Sequence, residues 1–283
     1  MTISLLPWLR LLRVGTLFSP AADVAAGLCL AGLAWSGDAA RAAAASVLAY
    51  AAGMVLNDHA DRATDAVVRP ERPLPSGAIT PTAAAAFGFG LLATSVLIAP
   101  WPIYYGVVAA LILFYDYGAK RVVALGAMTM GALRGLNLAA GAVAVSGMAP
   151  PRAVLIAAAA YALYIVGVTV LGVYEDEPKV RRRAVVSIQL VPPLVASLAL
   201  LAAPEPWPAA AVGFALAAVF LARIRRVRTW DRDAIRGSMM WLLLGTLLYT
   251  ALLCLAADRA IEAAAIAAAI VPARWIARRI ALT

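Results

Sequence analysis

The run Asn57-Asp58-His59-Ala60-Asp61-Arg62-Ala63-Thr64-Asp65 closes a long apolar stretch with three aspartates. If a helix continues through it, Asp58, Asp61 and Asp65 fall at i, i+3 and i+7 and share one face. Like charges at such spacings repel, and neighbouring lipid raises the cost. A hard divalent cation removes it. Mg²⁺ takes oxygen ligands and commonly joins one or two carboxylates to the phosphates of a substrate, and Asn57 adds an amide oxygen. The plainer alternative is a solvated helix end whose acids pair with Arg62 and Arg69. Charge is so scarce elsewhere in the chain that the metal reading is preferred.

The next segment, Arg69-Pro70-Glu71-Arg72-Pro73-Leu74-Pro75-Ser76-Gly77, holds three prolines within six residues. They stiffen the loop and forbid a helix, while Gly77 permits a turn. Arg69 and Arg72 are thereby held beside the acidic stripe, and their forked donors suit phosphate oxygens. Arg134 stands inside a later apolar stretch, one turn before Asn137. A buried arginine there costs about 2.5–3.5 kcal/mol on insertion scales, so it is expected to face the interior. A diphosphate, a polar acceptor and a structural carboxylate such as Glu175 or Asp116 are all open as its partner. Small residues around it (Gly131, Gly135, Ala139, Gly141) suggest close helix packing.

Apolar helices must position these groups. Of the 283 residues, 64% are hydrophobic and 14% charged, with a mean hydropathy of +0.88. A soluble domain carries about 25% charged residues. The apolar blocks are of the length that crosses a bilayer, and backbone groups in lipid must be satisfied within a segment, so an all-α membrane bundle is expected. The spans read as 14–35, 41–58, 82–99, 102–119, 122–146, 153–174, 184–203, 207–223 and 236–256. A tenth segment, 259–276, either spans or lies on the membrane surface. The chain is too short for two such bundles, so residues 1–283 form one membrane-embedded domain. With the tenth segment counted, twenty basic residues gather on the side of the N-terminus and the motif loops, against Arg41, Arg152 and Arg259 opposite. The positive-inside rule then makes the motif side cytoplasmic, in the inner membrane of the cell. The net charge of +9 thus answers to anionic lipid rather than to nucleic acid. Cys29 and Cys254 sit singly in apolar helices and read as packing residues. His59 is the only histidine, which excludes histidine metal clusters and Ser-His-Asp chemistry, and no Walker A motif is present.

Asn-Asp-x-x-Asp-x-x-x-Asp followed by Arg-Pro-x-Arg-Pro-Leu-Pro-Ser-Gly resembles the first aspartate motif and following loop of the UbiA superfamily of intramembrane prenyltransferases. Tyr115-Asp116-Tyr117-Gly118-Ala119-Lys120-Arg121 is similar to that superfamily's Tyr-x-x-x-x-Lys-Arg element. The resemblance implies a nine-span bundle and Mg²⁺-dependent transfer of an isoprenyl group from an isoprenyl diphosphate to an acceptor within the membrane. It places Asp58, Asp61, Asp65 and Lys120 in catalysis, and Asn57 with the three aspartates on the metal. Arg69, Arg72, Tyr115, Arg121, Arg134 and Asn137 join Asn57 and Lys120 around the diphosphate. Aromatic faces at Tyr104, Tyr105, Tyr115 or Tyr161 are candidates to stabilise an allylic cation. The chain departs from the superfamily after its sixth span. Members carry two acidic residues four apart there, whereas this sequence reads Tyr174-Glu175-Asp176-Glu177-Pro178-Lys179. Glu175 stands for the first acid as a second metal ligand, but the position four later is Lys179. A helix end balanced by Arg181 to Arg183 is the plain alternative. The reduced motif, with Arg-Gly-Leu-Asn, also resembles the EboC-like branch, associated with handling or export of specialised metabolites. A non-catalytic protein that binds an amphiphilic metabolite is therefore the second reading. Neither reading identifies the acceptor or a protein partner.

Overall fold

The computed structural model describes residues 5–175 and 180–280, and helix dominates them. In chain order the helices are α1 (Leu6–Leu11), α2 (Phe18–Leu30), α3 (Gly37–Val68), α4 (Pro81–Ile98), α5 (Pro102–Tyr117), α6 (Val123–Ser146), α7 (Arg152–Val173), α8 (Arg182–Leu200), α9 (Pro206–Arg226), α10 (Arg232–Ala256) and α11 (Ala260–Ile280). Local chemistry sets several of their ends. Ser36, Thr80 and Asp231 accept hydrogen bonds from the backbone N–H three residues on, opening α3, α4 and α10, as good N-caps do. Proline sits in the first turn of α4, α5 and α9, where its missing N–H costs nothing. Among the described residues nine helices are long and apolar enough to cross a bilayer.

Two expectations about the spans change. The stretch 14–35 yields a 3₁₀ turn at Val14–Thr16 and then only the 13 residues of α2, about 20 Å of helix. Gly32 takes φ +67° just past its end, and Leu33 N–H reaches back to Leu28 O at 3.1 Å. This left-handed glycine stop ends the helix well before residue 35. The segment 259–276 does not lie across the bundle end. Arg259 bonds Leu33 O beyond one end of α2, while the backbone of Ala273 and Ala277 meets Gly15 near the other. Helix α11 therefore runs the height of the bundle beside α2.

At the centre, α6 packs against α2, α3, α5 and α7. Lipid tails give no hydrophobic drive between helices, so close backbone approach and dispersion hold such contacts. Gly131 and Gly135 face the backbone of Ala162 and Ala158 on α7. Gly141 and Gly27 meet at the α2–α6 crossing, where a Cβ on either would overlap a backbone carbonyl oxygen, that of Val24 or of Leu138. Gly141→Leu is therefore expected to destabilise the bundle by about 1–3 kcal/mol or more, read as a lower melting temperature in detergent. Gly90→Ala, with open space around it, should leave the melting temperature unchanged or slightly raised.

Cys29 and Cys254 are both buried and free. They are not isolated from each other, because both lie in one core cluster where α2 packs against α10. Sequence spacing could not show this, since the two lie on helices far apart in the chain.

Candidate active site

Helix α3 runs ten residues past the expected end of its span. Past residue 58 no proline or glycine interrupts it until Pro70, and Arg69, the residue before that proline, leaves helical geometry at φ −144°, ψ 61°, as a pre-proline residue should. The extension carries Asp58, Asp61 and Asp65. Asp58 and Asp65 are buried, whereas the Asp61 side chain is 37% exposed.

The following loop folds back on this stripe. Leu74 and Ile79 are buried against Leu11, Val55 and Ala84, and Gly77 turns the chain at φ +75°. So anchored, Arg72 reaches Asp65 at 2.7 Å and Asp58 at 3.5 Å. One guanidinium thus bridges two carboxylates of the stripe. Arg13, ahead of α2, donates to Asp58 at 2.9 Å. Lys120, on the 3₁₀ turn Ala119–Arg121 after α5, pairs with Asp61 at 2.7 Å. Asn57 donates to Asp116 at 3.1 Å, and the other Asp116 oxygen, Oδ2, is buried without a hydrogen-bond partner.

Four carboxyl groups therefore face three cationic side chains. The donors are all oxygens, as Mg²⁺ requires, and the orphan oxygen of Asp116 lies next to the Asn57 amide. The residues fit a hard divalent cation in kind and in charge. Among the described residues no three acidic groups are drawn together closely enough to enclose a metal, because each aspartate of the stripe leans on Arg13, Arg72 or Lys120.

Asn57, Asp116, Tyr115 and Arg13 form the mouth of a cavity of about 180 Å³. Its lining on α3 is Ser46, Ala49, Tyr50, Gly53, Met54 and Asn57, a single helical stripe. Val108 and Ile112 of α5 and Met130 and Leu133 of α6 complete an apolar throat. Of the tyrosines considered as aromatic faces, Tyr115 alone lines this cavity. Tyr104 and Tyr105 spend their hydroxyls on Leu136 O and Ala42 O, and Tyr161 is fully buried. Tyr50, which sequence reasoning passed over, lines it instead.

Arg134 lines the inner part of the cavity but is not paired with Glu175 or Asp116. Its carboxylate partner is Asp23 on α2, at 3.0 Å, and the same Nη2 also bonds Ser19 and the Tyr161 hydroxyl. Asn137 donates to Asp23 at 2.8 Å and to Pro20 O at 3.0 Å. The signal for Asp23 was present in the sequence, as a lone carboxylate in an otherwise uncharged apolar segment, which implies a buried partner.

Glu175 lies apart from the aspartate stripe. Arg236 donates to it at 2.6 Å, Arg69 approaches at 3.5 Å and Arg232 at 3.9 Å. Arg69 is thus drawn to Glu175 rather than to the stripe. Asp176, Glu177, Pro178 and Lys179, the rest of the reduced second motif, lie outside the described residues. Arg121 is exposed beside Lys120.

Fold and site together define a multi-pass membrane protein with a charged mouth above an apolar cavity. The chain belongs to the UbiA prenyltransferase family, whose model matches residues 21–245. It is similar to the digeranylgeranylglyceryl phosphate synthase of Thermococcus kodakarensis, with 34% identity over 103 residues, 35% of this chain and 37% of that one. The synthase of the same name from Methanoregula boonei is 45% identical over 71 residues, 24% of this chain and 25% of that one. The matches to such curated relatives span 21–37% of their own length. In structure the chain is similar to a UbiA homolog from Archaeoglobus fulgidus bound to GPP and Mg²⁺, with a TM-score of 0.67 at 15% identity over 93% of this chain and 99% of that one. A digeranylgeranylglyceryl phosphate synthase structure gives 0.62 at 18% identity, over 89% and 97%.

Proposed function

We propose that the protein, as one membrane-embedded domain over residues 1–283, transfers an isoprenyl group from an isoprenyl diphosphate to an acceptor within the membrane, with Mg²⁺. The observation that carries this reading is the joining of a cation-rich carboxylate cluster to an apolar cavity at Asn57 and Asp116. A diphosphate suits the first and a hydrocarbon tail the second. The names of the curated relatives point to a glyceryl phosphate lipid as the first acceptor to test. The excess of basic residues at the motif end supports a cytoplasmic motif end, in the cell membrane.

Asn57, Asp58, Asp61, Asp65 and Asp116 are the residues that would hold Mg²⁺, and Glu175, apart from them, would be a ligand of a second ion. When bound, the ion supplies neutralisation of diphosphate charge. Arg13, Arg72 and Lys120 present N–H donors to the oxygens of the leaving group, a fixed array that favours cleavage of the allylic C–O bond. Arg69 and Arg121 stand further out, where they steer the anion. The apolar throat keeps water from the cleaved prenyl group, with the Tyr115 face beside it. The acceptor oxygen forms the new bond to the allylic carbon and gives up its proton, while diphosphate departs.

The test is diphosphate release by purified protein in nanodiscs, supplied with isoprenyl diphosphates and both glyceryl phosphate lipids and a bacterial lipid extract. Release that depends on Mg²⁺ and stops on adding EDTA is the expected result. Donor binding without release over that acceptor panel would overturn it. The second reading, binding or export of an amphiphilic specialised metabolite as in the EboC-like branch, would then stand. It draws support from the guanidiniums and ammonium that already neutralise the aspartates, and from the enclosure of Glu175 by arginines.

A further inference from the structure

The cavity is polar at its mouth and again deeper, where Arg134 of a buried ion pair lines it before the lining continues to Ala49 and Ser46. Arg134 is 8% exposed and Asp23 is fully buried. Every hydrogen bond of the guanidinium to the protein runs through Nη2, to Asp23, Ser19 and Tyr161. Nε and Nη1 have no such partner and are not sealed from the cavity, which Arg134 lines. The group cannot swing aside easily. Its carbon lies 5.5 Å from the Tyr50 ring centroid and 5.2 Å from that of Tyr161, and Asn137 holds Asp23 from the other side.

Depth follows from α3. Asn57 marks the mouth and Tyr50, under the guanidinium, lies seven residues away, about 10 Å along a helix. An extended chain advances about 1.2 Å per bond, so a four-carbon isoprene repeat covers about 5 Å. Two repeats reach from the mouth to Arg134. A third would cover the open N–H groups with hydrocarbon and remove their water without replacing its hydrogen bonds.

We propose that Arg134, held by Asp23, sets the length of prenyl tail the cavity accepts, so that the donor carries one or two isoprene units. This rests on the donor-site reading above and narrows its substrate class. Apolar residues line the throat as far as Leu133 and Gly53, and the change to a guanidinium at the next turn is where tail binding stops gaining.

The test uses unreactive isoprenyl thiodiphosphates of one to four units, titrated with Mg²⁺ onto the full chain in nanodiscs. Dissociation constants should tighten from one unit to two and then weaken about tenfold or more at three and four. In the Arg134→Met/Asp23→Leu double variant, which removes both charges, the ratio of four-unit to two-unit affinity should rise about tenfold. Wild-type affinity that climbs without a break through four units overturns the length limit, whether or not the variant folds. So does a folded double variant with the wild-type ratio, or binding at no length. The break is read from binding alone. A break without turnover of any donor therefore rejects prenyl transfer while keeping the limit, and turnover with an unbroken climb does the reverse.

Discussion

Asp61→Ala is expected to lower Mg²⁺-dependent diphosphate release by about 10²–10³-fold, the effect of removing one preorganised electrostatic group from a site of this kind. Asp61 is the aspartate best suited to this test. Asp58 and Asp65 are buried and share Arg72, so removing either also unbalances a buried charge network. Asp61 is partly exposed and its ion pair is with Lys120. Because the Lys120 ammonium is buried, the melting temperature of each variant is measured beside its rate. A matched melting temperature with a collapsed rate would therefore locate the effect in chemistry rather than folding. Asp61→Asn keeps the shape and one oxygen but loses the charge, and should fall nearly as far. Wild-type rates in both variants would remove Asp61 from the catalytic cluster.

The largest expected loss of stability comes from breaking the Arg134–Asp23 pair. Arg134→Met leaves a buried carboxylate whose remaining donor is the Asn137 amide, and should cost about 3–5 kcal/mol. Asp23→Leu should cost as much, since it leaves a guanidinium with Ser19 and Tyr161 only. Replacing both partners should recover most of the loss, because two apolar side chains of similar volume no longer require paired charge. Thermal unfolding of the three variants in one detergent forms a double-mutant cycle. Single variants as stable as wild type, or a double variant whose loss is the sum of the two, would show that the pair does not hold α2 to α6.

Much of the molecule was legible in its residues. Apolar blocks of membrane length between charged loops require helices, because hydrocarbon offers a backbone no other partner. The i, i+3, i+7 spacing of Asp58, Asp61 and Asp65 followed from helical periodicity once α3 was known to continue, and only Pro70 was placed to stop it. The proline-rich loop was likewise bound to stay non-helical and to keep Arg72 near that helix. Gly32 also carried its message locally, although the stop it makes in the first apolar stretch was not read.

Partnership was not legible. Arg72 and Arg69 lie three residues apart in one loop, yet one bridges the aspartates and the other leans on Glu175. Arg13 looked like a topological charge and proves to be a contact of Asp58, 45 residues away. Arg134 finds Asp23, 111 residues distant, and Cys29 finds Cys254. Each pairing depends on which helix faces lie together, and that is decided by small-residue crossings such as Gly27 against Gly141, where only the absence of a side chain allows the backbones to approach. The sequence by itself determined the helices, the acidic stripe and its neighbouring cations. Tertiary structure alone decided which cation meets which acid and where the cavity ends, because charge pairing across a bundle is a property of packed faces rather than of spacing along a chain.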